Sequence, residues 1–190
     1  MTTDSQIGRV LTATLHQAIV ELLPTRLEFY ENWLHGVRLR DGTIGLAAIT
    51  AVVGFLRTEG APYHAVMATA GRYTADWTID AMPALRRRWI SALPRRLRTR
   101  AALRAVRAMV RAAYAPSRVV AQTHRGQIRV EVQDSLFCKV REPHDSAQCD
   151  YYLALVTRAL QRFGLLAESQ IDICVAAGAT GCVMTLTLTV

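Results

Sequence analysis

Lysine is almost absent from this chain. Of its 23 basic residues only Lys139 is a lysine, and the others are arginines. Acidic residues are missing from one long stretch, since residues 81–130 contain thirteen arginines and no aspartate or glutamate. Because arginine holds carboxylates and phosphates in a bidentate fork, this basic stretch predicts a surface that attracts anions.

A long hydrophobic run is also lacking. Apolar residues make up 51% of the 190 residues, which suits one compact domain and excludes intrinsic disorder. The most apolar segment, residues 44–56, has 13 residues, whereas a membrane-spanning helix needs about 20. The first residues carry none of the positive charge that is typical of a secretory signal. We therefore expect a cytoplasmic protein without a transmembrane segment.

The common catalytic motifs are not found in the sequence. It has no glycine-rich phosphate loop, no dinucleotide fingerprint and no nucleophile elbow. Its five histidines are scattered without the spacing of a metalloprotease. A catalytic thiol at Cys138 or Cys149 needs a lowered pKa, which the nearby Lys139 and Arg141 favour only at Cys138. The sequence thus favours a protein that is not an enzyme, and no catalytic residue is assigned.

Hydrophobic periodicity predicts helices from the N-terminus to about residue 114. Apolar residues at spacings of three and four predict an amphipathic helix from residue 4 to about residue 23, ended by Pro24. Further helices are predicted at residues 27–34, 44–56, 63–80, between Pro83 and Pro94, and at about 95–114, with a turn at residues 41–43. On the last of these helices, four arginines share one narrow face, which we call the arginine stripe: Arg100, Arg104, Arg107 and Arg111.

The periodicity changes from 3.6 to 2 after Pro116. Residues 118–123 and 127–132 predict one β-hairpin, and residues 169–175 and 182–190 predict a second, with a helix at 149–163 between them. This order predicts an α+β fold in which N-terminal helices pack on a small antiparallel sheet made of two hairpins. We assign residues 1–43 to an N-terminal helical arm and residues 44–190 to a single α+β ligand-binding domain.

All four cysteines lie in the last third of the chain. Disulfides are not expected in a protein without an export signal. The second hairpin would bring Cys174 and Cys182 together, and Cys149 begins the preceding helix, so three thiolates could bind one tetrahedral metal ion. The alternative is that the cysteines are small buried apolar residues.

The C-terminal part of the chain resembles the C-terminal half of the 4-vinyl-reductase-type domain. In that domain a hairpin is followed by a cysteine at a helix start, a second cysteine, a glycine turn and a third cysteine. The corresponding residues here are Cys149, Cys174, Gly178 and Cys182. The resemblance covers roughly residues 117–190, with a looser fit at 45–80. It implies a cytoplasmic ligand-binding fold related to the ligand-sensing domains of phenol- and xylene-responsive activators and to vesicle-tethering (TRAPP-like) subunits. It also implies a dimer with an apolar cavity between helices and sheet. The family includes an accessory protein of bacteriochlorophyll biosynthesis.

Some 4-vinyl-reductase-type domains hold a structural zinc, and the resemblance therefore implies zinc as a cofactor bound by Cys149, Cys174 and Cys182. One departure from the family leaves the fourth ligand open. Metal-binding members carry an acidic ligand three residues before the first hairpin cysteine, and that position here is Ile171. Cys138, His144, Asp172 on a bulge and water are the alternatives, unless the site has decayed.

Aromatic side chains are the candidates for lining the implied cavity, because ligand cavities are mainly apolar. The set that we assign to ligand binding consists of Trp33, Tyr73, Trp77, Trp89 and Tyr152. Aromatic residues of a helical region more often belong to an ordinary core. For the arginine stripe, the alternative to a binding surface is an ordinary solvent-exposed helix face.

The leading functional hypothesis is a non-catalytic or accessory protein that binds an apolar or tetrapyrrole-like small molecule, as a homodimer or as a subunit of an assembly. A second hypothesis is an accessory component of a tetrapyrrole vinyl reductase, whose partner would supply the reductant. A third is an anion-binding adaptor that docks an acidic partner through the arginine stripe. Nucleic acid is a weaker target, because neither a helix-turn-helix nor a basic sheet with interleaved aromatics is recognised.

Overall fold

A computed structural model describes residues 7–34, 45–124, 126–139 and 144–189. The turn predicted at residues 41–43 lies outside these ranges. Within them, the chain forms helices and strands in this order: α1 (Arg9–Leu22), α2 (Leu27–Glu31), α3 (Leu46–Thr58), α4 (Ala61–Asp80), α5 (Ala84–Ala92), α6 (Arg95–Ala113), β1 (Arg118–His124), β2 (Gln127–Gln133), α7 (Asp150–Arg162), β3 (Ala167–Ile173) and β4 (Cys182–Leu188).

Proline and glycine set many of the boundaries between these elements. Pro94 precedes α6, where its missing N–H is not needed, and Pro24 begins a short 3-10 turn directly after α1. Gly164, with φ of 71°, adopts the left-handed conformation just after α7. These local signals explain why the predicted helices agree with the observed ones to within a few residues in most cases.

The four strands form one antiparallel sheet in the order β1-β2-β4-β3. Each hairpin pairs its own strands, and β2 joins β4 through a register in which Ile128 lies opposite Leu186. Ile128, Val130 and Val132 are buried while the residues between them are more exposed, which is the alternation expected of a sheet covered on one face. The prediction of an α+β fold with a small antiparallel sheet of two hairpins is confirmed.

Helix α4 is the centre of the helical layer and packs against both α1 and α7. Three side chains of α1 are fully buried in the core: Leu11, Leu15 and Ile19. The predicted N-terminal arm therefore contributes to the core. Gly71 lets α4 approach α7 closely, because a Cβ atom there would lie 2.2 Å from the backbone oxygen of Tyr151. The interface between these two helices therefore depends on a residue without a side chain.

Across the described ranges, none of the helices combines the length and the hydropathy that a membrane span requires.

Candidate metal centre

Four separate segments each contribute one cysteine to the same end of the sheet. Cys138 lies in the segment after β2, and Cys149 immediately precedes α7. Cys174 directly follows β3, and Cys182 is the first residue of β4. Because β3 and β4 are antiparallel neighbours, the end of one lies beside the start of the other. The fold thus brings together cysteines that are up to 44 residues apart in sequence.

The four sulfur atoms form a compact buried cluster. The Sγ atom of Cys149 lies 3.2 Å from those of Cys138 and Cys174. The Sγ atom of Cys174 lies 3.5 Å from that of Cys138 and 3.9 Å from that of Cys182. All four lie within 4.8 Å of one another, and all four cysteines are free and buried. A tetrahedral ion with metal–sulfur bonds of about 2.3 Å separates its sulfurs by about 3.8 Å, which is within the observed spread.

Backbone amides hold two of these sulfurs in place. The N–H of Gln148 donates to Sγ of Cys174 at 3.3 Å, and the N–H of Val175 donates to Sγ of Cys182 at 3.5 Å. Hydrogen bonds with Cys138 and then Cys149 lower the pKa of the Cys174 thiol far below its usual range. Hydrogen bonds with Cys138 and Cys174 raise the pKa of Cys149. The cluster therefore favours the thiolate at Cys174, and thiolates are the form that binds metals.

Helix α4 anchors the start of α7, and with it Cys149. Nδ1 of His64 lies 2.9 Å from Oδ2 of Asp150, the first residue of α7. The hydroxyl of Tyr63 donates to the carbonyl oxygen of Gln148 at 3.3 Å. These contacts on both sides of Cys149 fix its position without using its sulfur.

A surface groove of about 300 Å³ reaches the cluster from solvent. Its lining includes Cys138 and Cys182 together with the acidic residues Glu131 and Asp134. Lys139 also lines the groove, and its Nζ lies 3.9 Å from Oδ1 of Asp134, so the lining carries one net negative charge, which favours cations. The cluster therefore has both a donor set suited to a metal ion and a path by which an ion can enter.

Of the candidates for a fourth protein ligand, Cys138 is the one whose sulfur lies in the cluster. Asp172 lies at a bulge in β3, but its Oδ2 accepts a hydrogen bond from Oγ1 of Thr185 at 2.7 Å on the exposed side of the sheet. His144 is exposed, and its backbone N–H donates to the carbonyl oxygen of Ala176. Neither residue belongs to the cluster, whose members are the four cysteines.

Apart from Tyr73 and Trp77, the aromatic residues assigned to ligand binding do not contact one another in the described structure. Trp33 contacts Phe55, with ring centroids 5.7 Å apart, and Tyr73 stacks on Trp77 at 5.6 Å. Trp89 is 62% exposed, and Tyr152 is buried in the core. They occupy separate places, so in the described residues they do not line a common cavity.

The arginine stripe is exposed along α6, as its spacing predicts. Arg104 and Arg107 line a groove of about 310 Å³ between α6 and β1. Arg100 lines this groove and also a larger one, of about 660 Å³, at the start of α6. Arg111 lines neither of these two grooves. The larger groove contains residues that the sequence analysis did not single out: Arg95, Arg96, Thr99, Thr123, His124, Gly126 and Leu188. The charge of Arg95 and Arg96 is visible in the sequence. These residues share a groove with His124 only because α6 packs against the β1–β2 hairpin.

Comparison with solved structures identifies the fold. An Fe(II) unliganded mutant H-NOX protein from K. algicida matches with a TM-score of 0.62 at 13% identity, covering 97% of both chains. An H-NOX domain from Shewanella oneidensis in the Fe(II)CO state has the same TM-score and identity, covering 96% of this chain and 98% of that one. An S. oneidensis H-NOX protein in the Fe(II)NO state matches with a TM-score of 0.59. No protein-family model matches the chain, and the comparison with curated proteins found no match.

These findings correct several predictions. The assignment to the 4-vinyl-reductase-type family is wrong, because the similar structures are H-NOX proteins and no model of that family matches. The similar structures also contradict the predicted function as a non-catalytic or accessory protein for an apolar or tetrapyrrole-like molecule, its vinyl-reductase and adaptor alternatives, and the link to bacteriochlorophyll biosynthesis. Zinc as the cofactor is wrong as well, since the similar structures are described with Fe(II). The chain has the fold of H-NOX proteins.

Proposed function

We propose that this chain is a metal-binding domain of H-NOX fold, in which Cys138, Cys149, Cys174 and Cys182 hold one transition-metal ion. The observation that supports the proposal is the convergence of four buried sulfurs from four segments, at spacings that suit a tetrahedral ion. Four thiolates select soft and borderline metal ions over magnesium and calcium.

The role that we propose for the ion is structural. Four protein ligands complete a tetrahedral shell, whereas catalytic metal sites keep one position open for water or substrate. The ion would tie the segment after β2 and the start of α7 to the β3–β4 hairpin. The ion would add to the hydrogen bond from Tyr63 to Gln148 and to the packing of Phe137 on Tyr151, which already hold these segments together. Because metal binding and folding are coupled in such sites, the metal would stabilise the whole domain.

A haem-based sensor of gases is the second candidate, since the similar structures are described with Fe(II), CO and NO. Haem iron takes an axial side chain, most often histidine, in an enclosed pocket. His16 lies 3.4 Å from Glu31 at the surface, and His64 is paired with Asp150. His124 and His144 are exposed, and His35 lies outside the described residues.

The contact between α4 and α7 leaves no room for haem between these two helices. A Cβ atom on Gly71 would lie 2.2 Å from the backbone oxygen of Tyr151. The side chains of Tyr151 and Tyr152 are themselves fully buried at the start of α7. None of the histidines that the structure describes is buried, whereas the four cysteines are, so the four-cysteine cluster is the chemical centre that we propose.

The decisive measurement is the metal content of protein purified under reducing conditions without chelators. Mass spectrometry of the elements should find one transition-metal ion per chain, and the Cys149→Ser/Cys174→Ser variant should have lost it. Thr180→Ser, an exposed change in the same hairpin, is the matched control and should keep it. Folded wild-type protein without metal, whose four thiols react with a thiol reagent, would overturn the proposal.

The same preparation separates the two candidates. Addition of haemin should produce no stoichiometric Soret band, and the reduced mixture should show no change with CO. A stoichiometric band that shifts when CO is added would instead establish the haem sensor, whatever the metal content.

A further inference from the structure

The larger groove at the start of α6 lies at the opposite end of β4 from the cysteine cluster, since Cys182 is the first residue of β4 and Leu188 is its last. It runs between the first turns of α6, the β1–β2 hairpin turn and the end of β4. Its volume of about 660 Å³ is in the range of small-molecule sites. A cavity of this size is large enough for a molecule bigger than a simple inorganic ion.

The described residues that line this groove provide cations and hydrogen-bond donors but no acidic side chain. Arg95, Arg96 and Arg100 supply three guanidinium groups, and Thr123 and His124 add polar groups from β1. In the described ranges, none of the three arginines forms an ion pair with a carboxylate. Among the residues that the structure describes, the three positive charges at the groove therefore have no negative partner.

Arg95 is already held in a fixed position. Its Nη2 donates to the carbonyl oxygen of Thr189 at 2.8 Å, beyond the end of β4. The Oγ1 of the buried Thr99 donates to the backbone carbonyl oxygen of Arg95 at 2.9 Å, which stabilises the helix turn that carries Arg95. Because its own Nη2 is already bonded, the Arg95 guanidinium loses less conformational entropy when it binds a ligand than a free side chain does.

The placement of these arginines is unfavourable in the absence of a ligand. Arg95 and Arg96 lie in the first turn of α6, which has no acidic residue, and the helix dipole disfavours cations at that end. Arg96 and Arg100 are four residues apart on the same helix, a spacing at which like charges repel each other. A bound anion with several charges would offset both effects.

We propose that this groove binds a phosphorylated small molecule of the size of a nucleotide. Phosphate groups present several acceptor oxygens and multiple charges, which match three guanidinium forks and the neighbouring polar groups. The half-buried Leu188 and the stems of the arginines offer apolar surface for the organic part. This site does not depend on the proposed metal centre.

Isothermal titration calorimetry with ATP, tripolyphosphate and citrate at about 150 mM salt tests the proposal. We expect ATP and tripolyphosphate to bind and citrate to bind much more weakly. Tighter binding of ATP than of tripolyphosphate would show that the organic part contributes. Absence of binding by both phosphates, or equal binding of citrate, would overturn the proposal.

Two charge-matched variants separate a specific site from general attraction. Arg96→Gln/Arg100→Gln should weaken ATP binding at least about tenfold for each arginine that contacts phosphate. Arg86→Gln/Arg88→Gln removes the same charge from exposed positions on α5 outside the groove and should leave the affinity within about twofold. Equal losses in the two variants would overturn the site, and circular dichroism verifies that both variants are folded.

Discussion

Gly71 of α4 lies so close to Tyr151 of α7 that a Cβ atom on the glycine would be 2.2 Å from the tyrosine's carbonyl oxygen. The atom in the way belongs to the backbone of a helix, so it cannot move aside as a flexible side chain would. Gly71→Ala must therefore separate the two helices that form the centre of the core.

We expect Gly71→Ala to lower the free energy of unfolding by about 1–3 kcal/mol, as overpacked substitutions do. Gly54→Ala is the matched control, because Gly54 also lies in a helix, α3, and a Cβ atom there meets no other atom within 4 Å. It should be neutral or stabilise the protein by up to about 1 kcal/mol. Urea unfolding of both variants tests the contact. Equal free energies of unfolding for Gly71→Ala and Gly54→Ala would contradict it.

Thr74 lies in a buried hydrogen-bonded network with Tyr151 and with Thr14, whose Oγ1 is 3.0 Å from that of Thr74. The Oγ1 of Thr74 lies 2.9 Å from the tyrosine hydroxyl and donates to the carbonyl oxygen of Ala70. Thr74→Val leaves the buried tyrosine hydroxyl without this partner and should cost about 1–3 kcal/mol. Tyr151→Phe should cost less, since Thr74 keeps its bond to Ala70.

A double-mutant cycle in denaturant checks this pair. The double variant should be little less stable than Thr74→Val alone, because both polar groups are then removed. Thr50→Val, whose exposed hydroxyl donates to Leu46, should change the stability by less than about 0.5 kcal/mol. Strictly additive costs at positions 74 and 151 would argue against the hydrogen bond.

Arg162 connects α7 to the end of α4 through Asp76 and Asp80. Its hydrogen bond to Asp80 lowers the pKa of that carboxyl below the ordinary value of 3.8. A carboxyl whose pKa is lower in the folded state stabilises the protein above the unfolded pKa. This contribution is lost as the pH falls through the folded pKa.

Asp80→Asn should therefore flatten the dependence of stability on pH below about pH 4. Because Asp80 is exposed, the effect should be small and should shrink in high salt. Urea midpoints between about pH 2.5 and 5 provide the measurement. Asp145→Asn, at an exposed position without an ion pair in the described structure, serves as the control. If the urea midpoints of wild type and Asp80→Asn changed in parallel with pH, the pH dependence could not be assigned to Asp80.

Removal of metal should destabilise the whole domain. A strong chelator under reducing conditions should lower the melting temperature by roughly 10 °C, as expected for loss of a ligand present far above its dissociation constant. The Cys149→Ser/Cys174→Ser variant should melt at the same temperature with and without chelator. An unchanged melting temperature in the wild type, after the metal has been shown to leave, would argue that the ion is not structural.

The amino-acid sequence predicted the individual elements well, because they depend on local physics. Pro94 marks the start of α6, and the spacing of Arg100, Arg104 and Arg107 places them on one exposed face. The alternating residues 127–132 predicted a strand, and in the structure Ile128, Val130 and Val132 are its buried face. Such patterns act over a few residues and need no knowledge of the rest of the chain.

The sequence pattern did not identify the fold family. A hairpin, a helix and a second hairpin with cysteines at their ends are compatible with more than one arrangement of the helices around the sheet. The comparison with H-NOX structures rests on that arrangement and extends over 97% of the chain at only 13% identity. Packing can keep its shape while sequences change, because many sets of apolar residues fill the same volume.

The sequence alone determined that Cys174 and Cys182 would meet, because a tight antiparallel hairpin brings its two ends together. Only the tertiary structure decided that Cys138 completes the cluster, since nothing local places the segment after β2 beside the start of α7. The same holds for Arg96 and His124, which share a groove although 28 positions separate them. Contacts between distant segments depend on how whole elements pack, and packing is a property of the complete core.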